Sequence, residues 1–266
     1  GDHMDFSLTD TQEVFKSTAQ KFFKEKCTTL ALTKYEQSEK KYSPELYKEI
    51  AELGFLGLII PEKYDGVGGN LMDLAIVVEE AGYAALPAPF LSTIAYGILP
   101  ILDAGTEAQK SELLPQIAKG ELIFTGAFSE SQAHYDLKHI NTTAANNTLS
   151  GQKLFVPYAS SADYFLTLAR TSENSQSSSE GLSLYLINGK QSGIKTTPLR
   201  SIGSDELFEV NFENVSLSDS DRLGAENEGW SLTKKTLETA TALQCVEMVG
   251  LLRRALEVTN EYVKER

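Results

Sequence analysis

The stretch "GAFSESQAHYDLKHI", residues 126 to 140, gathers hydroxyls, carboxylates, imidazoles and a phenol within fifteen residues. It begins at the end of an extended run, "LIFTGAF", and continues with Ser129, Glu130 and Asp136. That outline is the outline of a cofactor loop, in which hydroxyls and backbone donors meet a phosphate. Such a loop needs small residues so that the backbone can approach its ligand. Here His134 and Tyr135 stand at those places. Either the loop has been altered, with His134 still able to donate to a phosphate, or both residues form a surface turn that binds nothing. The residues alone leave the two readings open.

Other chemistry is thinly represented. The histidines are His3, His134 and His139, and the cysteines are Cys27 and Cys245, so no Cys/His cluster has metal-ligand spacing and no metal is expected. Two cysteines so far apart read as small buried hydrophobes rather than a bridge, which suits a reducing cytoplasm. The net charge of −13 comes without a Lys/Arg run, which argues against nucleic acid as a partner. The longest apolar stretches, such as "GFLGLII", are too short to span a bilayer, so no membrane is expected. Residues 1–4, "GDHM", read as a cloning remnant with the start Met, and nothing there resembles a signal peptide.

The elements that must position this chemistry change type twice along the 266 residues. From Thr9 to Pro115 the apolar period is helical. "TDTQ" and "TEAQ" each form a capping box, Thr9 with Gln12 and Thr106 with Gln109. Ser43 and Pro44 open a helix that Gly54 stops, and Asn70 caps another. From Leu122 the period becomes two: Phe208, Val210 and Phe212 alternate with Glu209, Asn211 and Glu213 as in a half-buried strand. "DYFLTLAR" and "GLSLYLING" read similarly, with the polar loop "TSENSQSSSE" between them. After "DRLGAENEGW" a helical pattern runs from Gly229 to Arg266 without Pro. Its 38 residues make a rod of roughly 57 Å whose apolar positions need neighbours on more than one side. The expectation is an α+β multidomain chain. Residues 5–121 form an all-α domain, 122–226 an antiparallel β-barrel or sandwich, and 227–266 the first helix of a C-terminal helical bundle.

That order resembles the acyl-CoA dehydrogenase family. "MDFSLTDTQEVFK", "ELGFLGLIIPEKYDGVGG", "DLAIVVEEAGYA", "TEAQKSELLPQIAKGE" and "MVGLLRRALEVTNEYVKER" look like family blocks in family order. "LPAPFLST" is similar to members acting on bulky or steroid-derived acyl-CoAs. The resemblance implies FAD-dependent α,β-dehydrogenation of an acyl-CoA thioester, with an electron-transfer flavoprotein as acceptor and a homo- or hetero-oligomer as the assembly. It also implies that about the last third of a family chain is missing.

In the family the flavin loop reads roughly Thr/Ser-Glu-Pro-Gly-Ala-Gly-Ser-Asp. Ser129, Glu130, Ala133 and Asp136 are similar to it, whereas Ser131, Gln132, His134 and Tyr135 depart from it. A second flavin contact, Trp-Ile-Thr/Ser after Gly-x-Lys, is matched by Phe155, Val156 and Pro157. The implied cofactor residues are therefore Phe128, Ser129, His134, Tyr135, Phe155, Val156 and Pro157, and the implied substrate residues Tyr135 and Glu238. Pro157 cannot donate. Losing two donors to a strongly polar ligand costs ~2–5 kcal/mol, so FAD binding is expected to be weakened or lost. No catalytic base is identified: the family position on the long helix aligns with Ala240 and its following arginine with Thr241, and Glu238 lies ~200° around the helix. Two further readings therefore stand beside the dehydrogenase: a non-catalytic, flavin-loop-degenerate subunit of a hetero-oligomer, and an acyl-CoA oxidase on the same scaffold.

Overall fold

The helix starts are set locally, by side chains that satisfy the first free N–H groups. A computed structural model describes residues 7–131, 139–172, 179–203 and 206–265. Helix α1 (Asp10–Lys26) opens with Thr9 Oγ1 accepting from the Gln12 amide at 3.2 Å while Gln12 Oε1 accepts from the Thr9 amide at 3.1 Å. The short α2 (Thr29–Glu36) is capped by Thr28. Ser43 caps α3 (Pro44–Glu52), and Gly54 turns the chain away with φ 78°. Asn70 and Asp73 form a second box at α4 (Leu71–Tyr83). Asp73 also accepts from Gln12 Nε2 at 3.0 Å, so the starts of α1 and α4 are tied together.

After α4 come α5 (Phe90–Thr93), a π-helical turn (Ile94–Ile98), α6 (Leu99–Ala104) and α7 (Glu107–Ala118). The Thr106/Gln109 box is present, and Gln109 Nε2 goes on to donate to the carbonyls of Ser220 (2.9 Å) and Arg222 (3.0 Å). One cap residue thus fastens the helices to the far end of the β region. Phe23, Ile50, Phe55, Leu74, Ile94 and Leu114 are almost wholly buried between the helices.

The chain then enters the β region by strand addition. Ile123 donates to Asp163 Oδ2 at 3.0 Å and its carbonyl accepts from the Asp163 and Tyr164 amides, which lays β1 (Phe124–Ala127) parallel to β4 (Tyr164–Arg170). The sheet runs β6 (Ile194–Leu199), β7 (Leu207–Ser216), β3 (Thr148–Pro157), β2 (Thr143–Ala145), β4, β5 (Leu182–Asn188), β8 (Arg222–Leu223). All pairings on that path are antiparallel except β2 with β4. The β domain expected from the sequence is present and its sheet is mainly antiparallel; among the described residues β1 and β2 run parallel to β4, β1 because the segment leaving the helices docks alongside β4 in the same direction.

"DYFLTLAR" and "GLSLYLING" also differ from the half-buried strands expected of them. β4 and β5 are buried on both faces: Leu166, Leu168, Leu184 and Leu186 face the helical core, while Phe165, Ala169 and Ile187 face a second core with Val210 and Phe212. A central strand with apolar cover on both sides has no reason to alternate.

The last helix, α8 (Gly229–Glu265), starts against β5 and then crosses α4. The crossing is made by two glycines. A Cβ at Gly82 would lie 2.0 Å from the Glu247 carbonyl oxygen, and one at Gly250 would lie 1.9 Å from that of Glu79. Arg253 then clamps the pair, donating to Glu79 (2.6 Å) and to the buried Glu80 (2.8 Å). Beside and beyond it Leu252, Leu256 and Val263 are exposed. Cys245 is exposed rather than buried as expected, being on the outer side of α8, and Cys27 is a free, half-buried thiol that desolvation raises to about 11.

Candidate functional site

β1 and β3 meet at the residues expected to hold a cofactor ring. Leu154 N donates to the Ser129 carbonyl at 2.8 Å, and Thr125 Oγ1 donates to the Pro157 carbonyl at 2.6 Å. Between these links the β3–β7 register slips, from Lys153 to Val156. Phe155 sits in the bulge with φ 57° and is 56% exposed. Left-handed backbone at a bulky residue is strained, and bulges are a device for re-aiming a side chain. Here the bulge sends an aromatic ring outward while Val156 stays wholly buried in the β core. Val156 therefore offers a ligand its backbone, not its side chain.

The junction is anchored by a buried ion pair. Lys153 Nζ donates to Glu130 Oε1 (2.8 Å), to the Leu168 carbonyl (2.9 Å) and to the Phe128 carbonyl (3.3 Å). Three acceptors match the three hydrogens of an ammonium; burial lowers the lysine's pKa from the ordinary 10.5, and the Glu130 carboxylate opposes that shift. Glu130 accepts in addition from the amides of Asn141 (2.7 Å) and Thr142 (3.0 Å) and from Thr142 Oγ1 (2.6 Å). Burial works against the carboxylate's charge, but the Lys153 ammonium and these donors outweigh it and hold its pKa below the ordinary 4.5. Glu130 thereby joins the chain before residues 132–138 to the chain after them. His134, Tyr135, Ala133, Gln132 and Asp136 lie outside the described residues.

Past the junction opens a cavity of about 710 Å³. Pro157, Tyr158 and Leu207 form its β end. Leu86, Leu91, Ala95 and Tyr96 line it from the N-terminal helices, and Leu237, Ala240, Thr241 and Gln244 line it from α8. The π-helical turn shapes this space, a usage common at functional sites. Tyr96 lies against Phe128, ring centroids 5.7 Å apart, and over Gly126, where a Cβ would come within 2.7 Å of Tyr96 Cδ1.

Of the residues expected from the sequence, the structure brings together Phe128, Ser129, Phe155, Val156 and Pro157. Phe128 is buried, its ring on Tyr96. Ser129 is half-buried, and its hydroxyl makes no hydrogen bond among the described residues. Glu238 is placed elsewhere: it is not in the cavity wall, and its exposed carboxylate lies 3.9 Å from Lys234 one turn back. The two positions separating it from Ala240 turn it to the outer face of α8. The carboxylates that do reach the cavity are Glu36 and Glu247, and Glu247 is ~10 Å along the helix from Ala240. Sequence reasoning missed Tyr96, Tyr158, Leu207 and Leu237, whose common cavity only the packing of four distant segments creates.

The profile for "Acyl-CoA dehydrogenase, N-terminal domain" matches residues 9–121, and that for "Acyl-CoA dehydrogenase, middle domain" matches 125–215. The chain belongs to the acyl-CoA dehydrogenase family. The mitochondrial long-chain specific acyl-CoA dehydrogenase of Rattus norvegicus is 30% identical over 269 residues, which cover 97% of this chain and 62% of the rat protein. The short-chain specific acyl-CoA dehydrogenase of Megasphaera elsdenii is 30% identical over 277 residues, 99% of this chain and 71% of that one. Among solved structures, the glutaryl-coenzyme A dehydrogenase–glutaryl-CoA complex superposes with a TM-score of 0.90 at 26% identity, covering 99% of this chain and 69% of that one. The chain thus spans less than two thirds of the rat relative's length. In family terms the described residues comprise the N-terminal helices, the β region and one long helix. Among them no helix is long and apolar enough to cross a membrane.

Proposed function

We propose that this chain holds FAD at the β1–β3 junction and an acyl-CoA thioester in the adjoining cavity, for α,β-dehydrogenation of the acyl group. The observation that carries the reading is the continuity of the two sites. The strand bearing the exposed Phe155 ring ends at Pro157 and Tyr158, which already line the cavity beneath Ala240 and Thr241. Phe155 offers a planar ring a stacking face, and Ser129 offers a free hydroxyl, so the junction suits the ring of a flavin. Bound there, FAD supplies a hydride acceptor for the β-carbon. The chain's own part is to bind and desolvate: Leu91, Leu207 and Leu237 line the apolar part of the cavity, where a polarising hydrogen bond to the thioester oxygen is strengthened. A roomy cavity also favours a bulky acyl group, steroid-derived ones included.

Proton abstraction is assigned outside the described residues, since Ala240 has no proton-accepting group. The assembly would be an oligomer with like or sister subunits, and an electron-transfer flavoprotein would take the electrons. The two free cysteines fit a reducing compartment, the cytoplasm. A second reading is favoured by Pro157 and Ala240 together: a subunit that keeps the fold and has lost its own flavin and base. The test of the first is a titration of octanoyl-CoA followed by calorimetry, with Ala240→Trp filling the cavity. Saturable binding that Ala240→Trp reduces at least tenfold is expected. Binding indifferent to Ala240→Trp, or none, would place the thioester elsewhere or nowhere on this chain.

A further inference from the structure

Among the polar groups in the wall of the cavity is a tyrosine hydroxyl that the reading above leaves idle. Tyr96 lines the cavity, and its hydroxyl makes no hydrogen bond to any described residue. It does not belong with the side-chain oxygens sealed in the core without a partner, so it opens on the cavity space. Its ring is held from two sides, by Phe128 at 5.7 Å and by the backbone at Gly126. The π-helical turn that carries it is flanked by buried Ile94 and Ile98. A tyrosine fixed this firmly cannot turn its hydroxyl to bulk water at will. Its surroundings are apolar enough that desolvation alone raises its pKa. On α8 Thr241 also lines the cavity with a hydroxyl that makes no hydrogen bond among the described residues, whereas the Ser92 hydroxyl is spent on the Phe124 carbonyl at 2.9 Å.

We infer that Tyr96 is a specificity residue for an oxygen-bearing acyl group: the acyl chain this cavity takes carries a hydroxyl or carbonyl substituent that hydrogen-bonds Tyr96 Oη. The inference rests on the acyl-CoA reading of the cavity and narrows it. A plain alkyl chain would lie against the phenol, strip its water and give nothing back, leaving a desolvated hydroxyl unpaired. An acyl group with an oxygen at the matching carbon replaces that water with a fixed partner. Sites built this way reject the analogue that lacks the polar atom more strongly than apolar pockets reject an extra methylene. Phenylalanine would serve equally well for packing on Phe128, so the hydroxyl is not explained by the core.

The experiment compares octanoyl-CoA with a series of hydroxyoctanoyl-CoAs bearing the hydroxyl at successive carbons, titrated calorimetrically into the full chain and into Tyr96→Phe. At one position the hydroxyl should tighten binding by roughly three- to tenfold over octanoyl-CoA. Tyr96→Phe should abolish that preference, so that the hydroxylated member binds the variant no more tightly than octanoyl-CoA does, with an unchanged unfolding midpoint. If octanoyl-CoA binds but no hydroxylated member is preferred, the inference is overturned and the acyl-CoA reading stands. A preference that survives in Tyr96→Phe overturns it too, assigning the recognition to another group. If no thioester binds at all, the reading beneath it falls as well.

Discussion

Lys153→Met should be among the most damaging single changes available to the β region. The ammonium is wholly buried, and its removal leaves the Glu130 carboxylate, itself only 6% exposed, without its counter-charge. It also orphans the carbonyls of Phe128 and Leu168. Breaking one side of a buried pair costs ~3–5 kcal/mol. At ~2–3 °C per kcal/mol for a chain of this size, the unfolding midpoint should fall by roughly 6–15 °C. Removing both charges does not restore the loss as it would in a simple pair. Glu130→Met in the same chain strands the Asn141 and Thr142 donors, each worth about 1–3 kcal/mol when buried and unpaired. The double variant should therefore stay ~2–5 kcal/mol below wild type. Thermal unfolding by circular dichroism reads all three proteins. A Lys153→Met midpoint within about 2 °C of wild type would refute the reasoning, because it would mean that the carboxylate is solvated or neutral in the fold.

Stability should also respond to acid through the same residue. Glu130 binds protons more weakly folded than unfolded, so its stabilisation is complete above the ordinary 4.5 and is lost as pH falls through its depressed folded value. Denaturant midpoints measured from pH 6 down to pH 3 should decline, and less steeply in Glu130→Gln. At the α4–α8 crossing, Gly250→Ala drives a methyl onto the Glu79 carbonyl and should destabilise by about 1–3 kcal/mol or more, read as a lower urea midpoint. Arg253→Ala leaves the Glu80 carboxylate buried without its cation and should cost ~3 kcal/mol, whereas a change at the exposed Glu238–Lys234 pair should stay within about 0.5 kcal/mol.

What the sequence made legible was whatever rests on neighbours in the chain. Thr9 with Gln12 and Thr106 with Gln109 announce their helices because the cap and its partner are three residues apart. Phe155 and Pro157 could be placed beside Ser129 only through the family pattern. Nothing local foretells that a bulge would turn Phe155 outward, since the slip depends on where β7 pairs. The mixed sheet was hidden for a similar reason: β1 looks like any short apolar run, and its direction is set by Asp163, forty residues on. Tyr96 was invisible because a tyrosine among isoleucines reads as core, and only the π-helical turn and α8 give it a cavity to face. Glu238 is the converse case, a chemically attractive carboxylate whose exposure on the helix no local pattern announces.

The central claim is that the β1–β3 junction is a flavin site opening into the acyl cavity, and an FAD titration followed by flavin fluorescence tests it most directly. The wild-type chain should bind FAD saturably but weakly. Phe155→Ala removes an exposed ring that the fold does not need, so the unfolding midpoint should move by less than about 2 °C while FAD affinity drops roughly ten- to thirtyfold. Pro157→Thr returns a hydroxyl and an N–H at the ring's edge and should tighten binding roughly three- to tenfold. Flavin that titrates identically into all three proteins, or into none of them, would contradict the account.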